Sequence, residues 1–292
     1  MVTLMLDSVT GDDIYASVRM LVALPHRPAI VLLESPADCS CLSPHVDDST
    51  VRLIPCFGAP NLTRAIERVD IDGIQGVLAI RDRDWVGILE PESTSPNLIY
   101  TDLYDLDASI ALVTNIGTRI IYVFGDLDAI REFCTTNHVS NPLAAVIGMV
   151  SELGLLRLVS QRHDLGLPLR GFPLYEVVAA STGTGIRQQL ITLALRRSPD
   201  CRSSADEVLA LMEAEGPQPQ RRLCAGYDLA ALLAHLIHRA WKGSKPGTQQ
   251  ILQTTRSALS CAELWTLRLY QAVLAWELRT GWSIWKCRPS AF

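Results

Sequence analysis

Short apolar runs that each stop at a carboxylate constrain this chain more than any other feature. Ala29 to Leu33 leads directly into Glu34. Val77-Leu78-Ala79-Ile80 passes through Arg81 into an Asp82-x-Asp84 pair, and Asn97 to Tyr100 is followed one residue later by Asp102. Runs this short, set between helix-like segments, read as parallel strands buried on both faces. In open parallel sheets, ligands sit in the crevice beyond the carboxyl ends of the strands. Three strands delivering carboxylates to one edge make an acidic cluster, which is the donor set that hard divalent cations take. The expectation is a phosphoryl-transfer site that uses Mg²⁺ (or Mn²⁺).

The remaining segments fit the same scheme. Val51 to Ile54 reads as a further strand, and Pro36 to Pro44 as a short helical or irregular link. Leu62, Ala65, Ile66 and Val69 recur at helical spacing within Asn61 to Val69. Ile120 to Phe124 reads almost equally as a fifth strand or a helix. After residue 150 the pattern is helical: Glu207 to Glu215, Asp228 to Trp241, and a long stretch from Ser260 to Trp285, with a loop at Gly216 to Gln220. The predicted fold is α/β, a Rossmann-like mainly parallel sheet followed by a helical C-terminal domain. The expected divisions are 1–25, an N-terminal segment; 26–130, the catalytic domain; and 131–292, the helical domain.

Composition narrows the function classes. The 292 residues are 48% hydrophobic, enough for two domains, and the net charge of −5 gives no global basic field of the kind that marks nucleic-acid binders. Met1 to Thr10 has no basic n-region, and no run of 18 apolar residues occurs, so the expectation is a cytoplasmic chain without a membrane span. The eight cysteines are then expected to be reduced. Cys39 and Cys41 lack a second pair at zinc-ligand spacing.

Four elements follow one another in a familiar order: Leu33-Glu34-Ser35-Pro36-Ala37-Asp38, Gly58 to Asn61, Asp82-Arg83-Asp84-Trp85, and Tyr100 to Asp107. Over about residues 25 to 110 the sequence resembles the TOPRIM-type nuclease domain, in the OLD-like branch of anti-phage effectors. Within that branch it is similar to the effector subunits of PARIS defence systems. The resemblance implies that Glu34 is the general base or acid and that Asp82 and Asp84 hold Mg²⁺ with it. Asp107, the acidic residue opening the next helix, joins the metal ligands. It further implies a toxic nuclease acting on RNA, with tRNA a plausible target, in preference to DNA. It also implies an ABC-type ATPase partner that restrains the enzyme. Apart from the resemblance, the apolar C-terminal helix is a reasonable place for a homodimer contact. Cys224 to Leu229 is similar to the family's "GHDL" element, and Leu269-Tyr270 with Trp276-Glu277 to its last helix. Relatives carry Gly where Ser35-Pro36 stands, and a second Gly and a Lys where Gly58-Ala59-Pro60-Asn61 stands. Tyr104 and Tyr227 stand where His is common. The alternative is a degraded module that only binds its partner ATPase. A topoisomerase- or primase-like enzyme is disfavoured, since neither a nucleophilic-Tyr domain nor a zinc ribbon is recognisable.

Several motifs read better as structure. Asp38 reads as a helix-capping residue, and Asp102 and Asp105 as caps or metal contacts. Arg81 and Arg83 flank the acidic pair and suit either phosphate or neighbouring acids. His235 and His238 read as a half-buried helix face. Ser181 to Gly185 lacks the Lys and spacing of a P-loop and reads as a connector or helix start. Trp265, Trp276, Trp282 and Trp285 read as packing residues.

Overall fold

The computed structural model describes residues 9–180 and 185–289. It divides into two compact units, Met1–Asp102 with Leu259–Phe292, and Leu103–Ala258.

The first unit contains α1 (Gly11–Val22), β1 (Ala29–Leu33), α2 (Pro36–Leu42), β2 (Val51–Pro55), α3 (Ala59–Ile71), β3 (Val77–Arg81) and β4 (Leu98–Tyr100). The strands form one sheet in the order β2-β1-β3-β4, every neighbouring pair parallel. The α/β architecture is therefore as expected, and Leu33 stands opposite Ile80 on adjacent strands. Ile30 and Leu32 of β1 and Val77 and Ala79 of β3 share a core with Ile14, Tyr15 and Val18 of α1. Leu62, Ala65, Ile66 and Val69 of α3 complete it. That spacing puts one apolar stripe of α3 on the sheet. Val31, Leu33, Leu78 and Ile80, which alternate with the first set, are buried too. Burial on both faces explains why these strands are apolar throughout instead of alternating. The N-terminal helix α1 has no counterpart in the sequence reading. A reciprocal Thr10–Asp13 capping box starts it.

Residues from 259 onward return to this unit, so the expected partition at 130 and 131 is not the observed one. The reason is a set of specific ties. The main-chain amides of Arg268 and Leu269 donate to the Asp102 carboxylate at 2.7 and 2.9 Å. This supplies the cap that Leu267, at the N-cap of the helix Arg268–Thr280, has no side chain to provide. Trp276 Nε1 donates to Asn97 Oδ1 at 2.9 Å, and Asn97 Nδ2 to Asp70 Oδ1 at 2.7 Å. Trp276 and Trp285 are buried, as packing residues should be.

The stretch 260–285 is not one helix. It forms a five-residue helix, Cys261–Trp265, then Arg268–Thr280, which ends at Gly281 in the left-handed conformation. A strap follows, joined to the sheet unit by an antiparallel bridge between Val46 and Trp285. Cys261 and Cys287 are disulfide-bonded, their Cα atoms 5.5 Å apart. The expectation of reduced cysteines fails for this pair, because the fold-back places two residues distant in sequence side by side.

Gly76, just before β3, carries a testable consequence. Its φ is +71°, and a Cβ there would lie 2.5 Å from the Trp282 ring. Gly76→Ala is expected to lower unfolding stability by about 2 kcal/mol, from left-handed strain and overpacking together. Chemical denaturation of parent and variant measures it.

The second unit is helical: α4 (Leu106–Val113), α5 (Ile116–Phe124), α6 (Leu127–Thr136), α7 (Pro142–Arg162), α8 (Leu174–Ala180), α9 (Ile186–Arg196), α10 (Ala205–Ala214), α11 (Gly226–Arg239) and α12 (Thr248–Ser257). The two helices of the last segment, in the first unit, are α13 (Cys261–Trp265) and α14 (Arg268–Thr280). Ile120 to Phe124 belongs to α5, so the expected fifth strand is absent among the described residues. Among the described residues, α7 is the one unbroken helix long and apolar enough to cross a membrane. Val146, Val150, Leu153, Leu156, Leu158 and Val159 are buried, which gives it the character of a core helix. Within α11, His235 stacks on Tyr175 at 5.5 Å between centroids, consistent with a half-buried face. Residues 181–184 of the connector lie outside the described residues, and Gly185 is the N-cap of α9.

Candidate active site

The strand order fixes where a ligand can sit. From β1 the chain goes to β2 on one side, then returns to place β3 on the other side of β1. The order reverses between β1 and β3, and such switch points open a crevice at the carboxyl edge. Glu34 follows β1 there, and Asp82 and Asp84 follow β3. Because Leu33 pairs with Ile80, the next residues in register are Glu34 and Arg81.

Glu34 is the best-defined member. Its side chain is 14% exposed. Its Oε1 accepts a hydrogen bond from the Asp82 main-chain N–H at 3.0 Å. Burial, followed by the negative charge of Asp84, raises its pKa to about 7; the Asp82 amide and the Arg81 guanidinium oppose the rise without cancelling it. Arg81 Nε lies 4.0 Å from Glu34 Oε1, buried and without a hydrogen bond, while Nη2 donates to Glu90 at 3.2 Å.

Local backbone chemistry accounts for the residues at the two turns of this edge. Ser35 has an extended backbone, φ −134°, which needs no glycine. Its hydroxyl caps α2 in a reciprocal box with Asp38, and Pro36 occupies the first turn, where a missing N–H costs nothing. Asp38 is thus a capping residue, as read. After β2, the amides of Cys56 and Gly58 donate to the carbonyls of Leu33 and Glu34 at 2.7 and 2.9 Å. This turn holds Phe57 at φ +58° and Gly58 at φ +121°. Gly58 stands where the backbone demands a glycine. Asp84 also has positive φ, +39°, a conformation Asp tolerates better than most residues.

The other sequence candidates are engaged elsewhere. Arg83 donates from its amide to Thr101 Oγ1 at 3.0 Å and from Nε to the Thr101 carbonyl at 2.9 Å. Its Nη1 meets Glu92 at 2.6 Å. Asp102 caps α14, and Asp105 caps α4 through Ala108 N at 2.7 Å while also accepting from Gly226 N at 2.8 Å. Asp107, expected as a metal ligand, lies on α4 of the second unit. Both its oxygens are held there by Arg256, at 2.7 Å from Nε and 2.6 Å from Nη2. It serves as the acid of a bidentate ion pair.

The donor chemistry of Glu34, Asp82 and Asp84 suits a hard divalent cation. Asp84 pushes the Glu34 pKa upward, a repulsion that a cation held between them would relieve. Among the described residues, the group of three ligand atoms all within 4.8 Å of one another is a different one, His45, Cys261 and Cys287. Arg81 meets neighbouring acids, Glu34 and Glu90, which is one of the readings its sequence position left open; that Glu34 is one of them was not legible, because strand register is not written in one strand alone. Comparison with protein-family models and with curated proteins gives no match.

Proposed function

We propose that the carboxyl edge of β1 and β3 is the active site of a metal-dependent nuclease, a cytoplasmic effector of the TOPRIM type acting on RNA in preference to DNA. The observation that carries this reading is Glu34, a carboxyl at the switch point of a parallel sheet with a pKa raised to about 7. A proton acceptor works best when its pKa lies near the working pH. Glu34 therefore holds or releases a proton at Oε1 or Oε2 under neutral conditions, with the Asp82 amide fixing its orientation. Asp82 and Asp84, with Glu34 beside them, would hold Mg²⁺ or Mn²⁺. When bound, the cation neutralises phosphate charge and lowers the pKa of a water. An ABC-type ATPase that restrains the enzyme is part of the same proposal and comes from the family resemblance, whereas pairing of two copies rests on the apolar C-terminal helix.

Asp82→Asn tests the proposal, because an amide oxygen is a weaker Mg²⁺ ligand than a carboxylate. The parent is expected to cleave RNA in Mg²⁺ or Mn²⁺ and to harm a bacterial host when expressed without its partner. Asp82→Asn is expected to do neither while melting cooperatively. Equal cleavage by both proteins would place any nuclease activity elsewhere. A parent inactive on RNA and DNA with either cation would leave the alternative, a module that only binds the ATPase.

A further inference from the structure

His45, Cys261 and Cys287 form a second cluster, independent of the acidic edge. One imidazole nitrogen and two sulfurs lie within 4.8 Å of one another, and His45 Nδ1 is 3.4 Å from Cys287 Sγ. We propose that these residues bind a zinc-class cation when Cys261 and Cys287 are reduced, so that disulfide and metal are two exclusive states of one pair. Two thiolates and an imidazole are a zinc donor set, with a fourth, open position for water.

Three segments are braced to bring these ligands together. His45 ends a 3-10 turn, Ser43–His45, and its carbonyl accepts from Lys286 N at 3.0 Å. The strap carrying Cys287 is held by Glu277, whose Oε1 accepts from the amides of Ile284 and Trp285 at 2.7 Å each. Tyr270 Oη donates to the Cys287 carbonyl at 2.7 Å. Cys261 begins α13, with Ser260 as its N-cap. His45 also hydrogen-bonds the backbone of Leu259, the kind of outer contact that orients a metal-binding imidazole. His45 and Cys287 are buried, while Cys261 is half-buried and gives a cation its approach. Lys286 stands near the imidazole, and two thiolates more than offset its charge against a dication.

The two states interconvert with balanced chemistry. A dithiol reduces the Cys261–Cys287 bond by exchange, becoming a cyclic disulfide and leaving two thiols, which release two protons on metal binding. Hydrogen peroxide reverses this: two electrons pass from the thiolates to the O–O bond, which breaks to give two waters with the uptake of two protons. The S–S bond forms and the metal is released.

The test uses the full chain, reduced anaerobically with a dithiol and freed of excess reductant, then titrated with Zn²⁺ and separately with Co²⁺. The reduced parent is expected to retain one equivalent of zinc, to melt higher with it, and to show thiolate-to-cobalt charge-transfer absorption. The oxidised parent should retain none, and peroxide should expel the metal from the reduced form. Cys287→Ser and Cys261→Ser should each lose the bound equivalent, and His45→Gln should weaken it at least tenfold. Cobalt spectra of the parent without thiolate bands overturn the proposal whatever the variants do. Zinc retained equally by Cys287→Ser, or by His45→Gln at parental affinity, overturns it as well.

Discussion

Glu34→Gln is expected to melt above the parent in metal-free buffer at mildly alkaline pH, and to cleave nucleic acid about 10²- to 10⁴-fold more slowly, the range for loss of a general acid–base group. The stability half follows from linkage. The Glu34 pKa is raised from 4.5 to about 7, so between those values the folded chain holds a proton that the unfolded chain has lost. Stability therefore falls as pH rises from about 4.5 to about 7, and the full penalty persists above that. At 1.36 kcal/mol per pKa unit, the ionised carboxylate costs the fold at most about 3 kcal/mol. Gln keeps the shape and accepts from the Asp82 amide, but it never ionises. The variant should show no loss across that pH window, while below pH 4.5 the two proteins should converge. Mg²⁺ should restore much of the parent's loss and do little for Glu34→Gln. Parallel pH–stability curves for parent and variant would refute the linkage. A variant that cleaves at the parental rate would remove Glu34 from the chemistry.

How much of this was legible beforehand depended on which interactions were local. The strands β1, β2, β3 and β4 were readable because each is a short apolar run. The helix α3 was readable because Leu62, Ala65, Ile66 and Val69 recur at its period. Capping by Asp38 was readable because Ser35 stands three residues before it. What could not be read depends on contacts between distant residues. Asp102 closes a helix that begins 166 residues later, and the Trp276–Asn97 bond spans 179. No pattern within residues 259–292 says that this segment belongs with the sheet. The same holds for the meeting of His45 with Cys287, and for the capture of Asp107 by Arg256. At the acidic edge, the residue types were legible, but the pKa of Glu34 arises from burial and from Asp84 across the β1–β3 register. Ile120 to Phe124 shows the limit of short apolar windows: five β-compatible residues form the last turns of α5.

Asp228→Ala is expected to destabilise the second unit by about 3 to 5 kcal/mol, the usual range for removing one partner of a buried ion pair. Asp228 is 3% exposed on α11, and both its oxygens meet the Arg157 guanidinium of α7, Nη2 to Oδ1 at 3.0 Å. Arg157 Nη2 also donates to the Leu169 carbonyl at 2.7 Å. The pair thus ties two core helices to the chain beyond α7. Without the carboxylate, the guanidinium stays buried with one carbonyl acceptor, since its pKa is too high for it to shed the proton. The environment of Asp228 is that of a structural acid. A structural Asp228 predicts a large drop in denaturation midpoint. Asp228→Asn should recover part of the lost stability by keeping a hydrogen-bond acceptor for Arg157. A variant of parental stability would overturn the structural assignment.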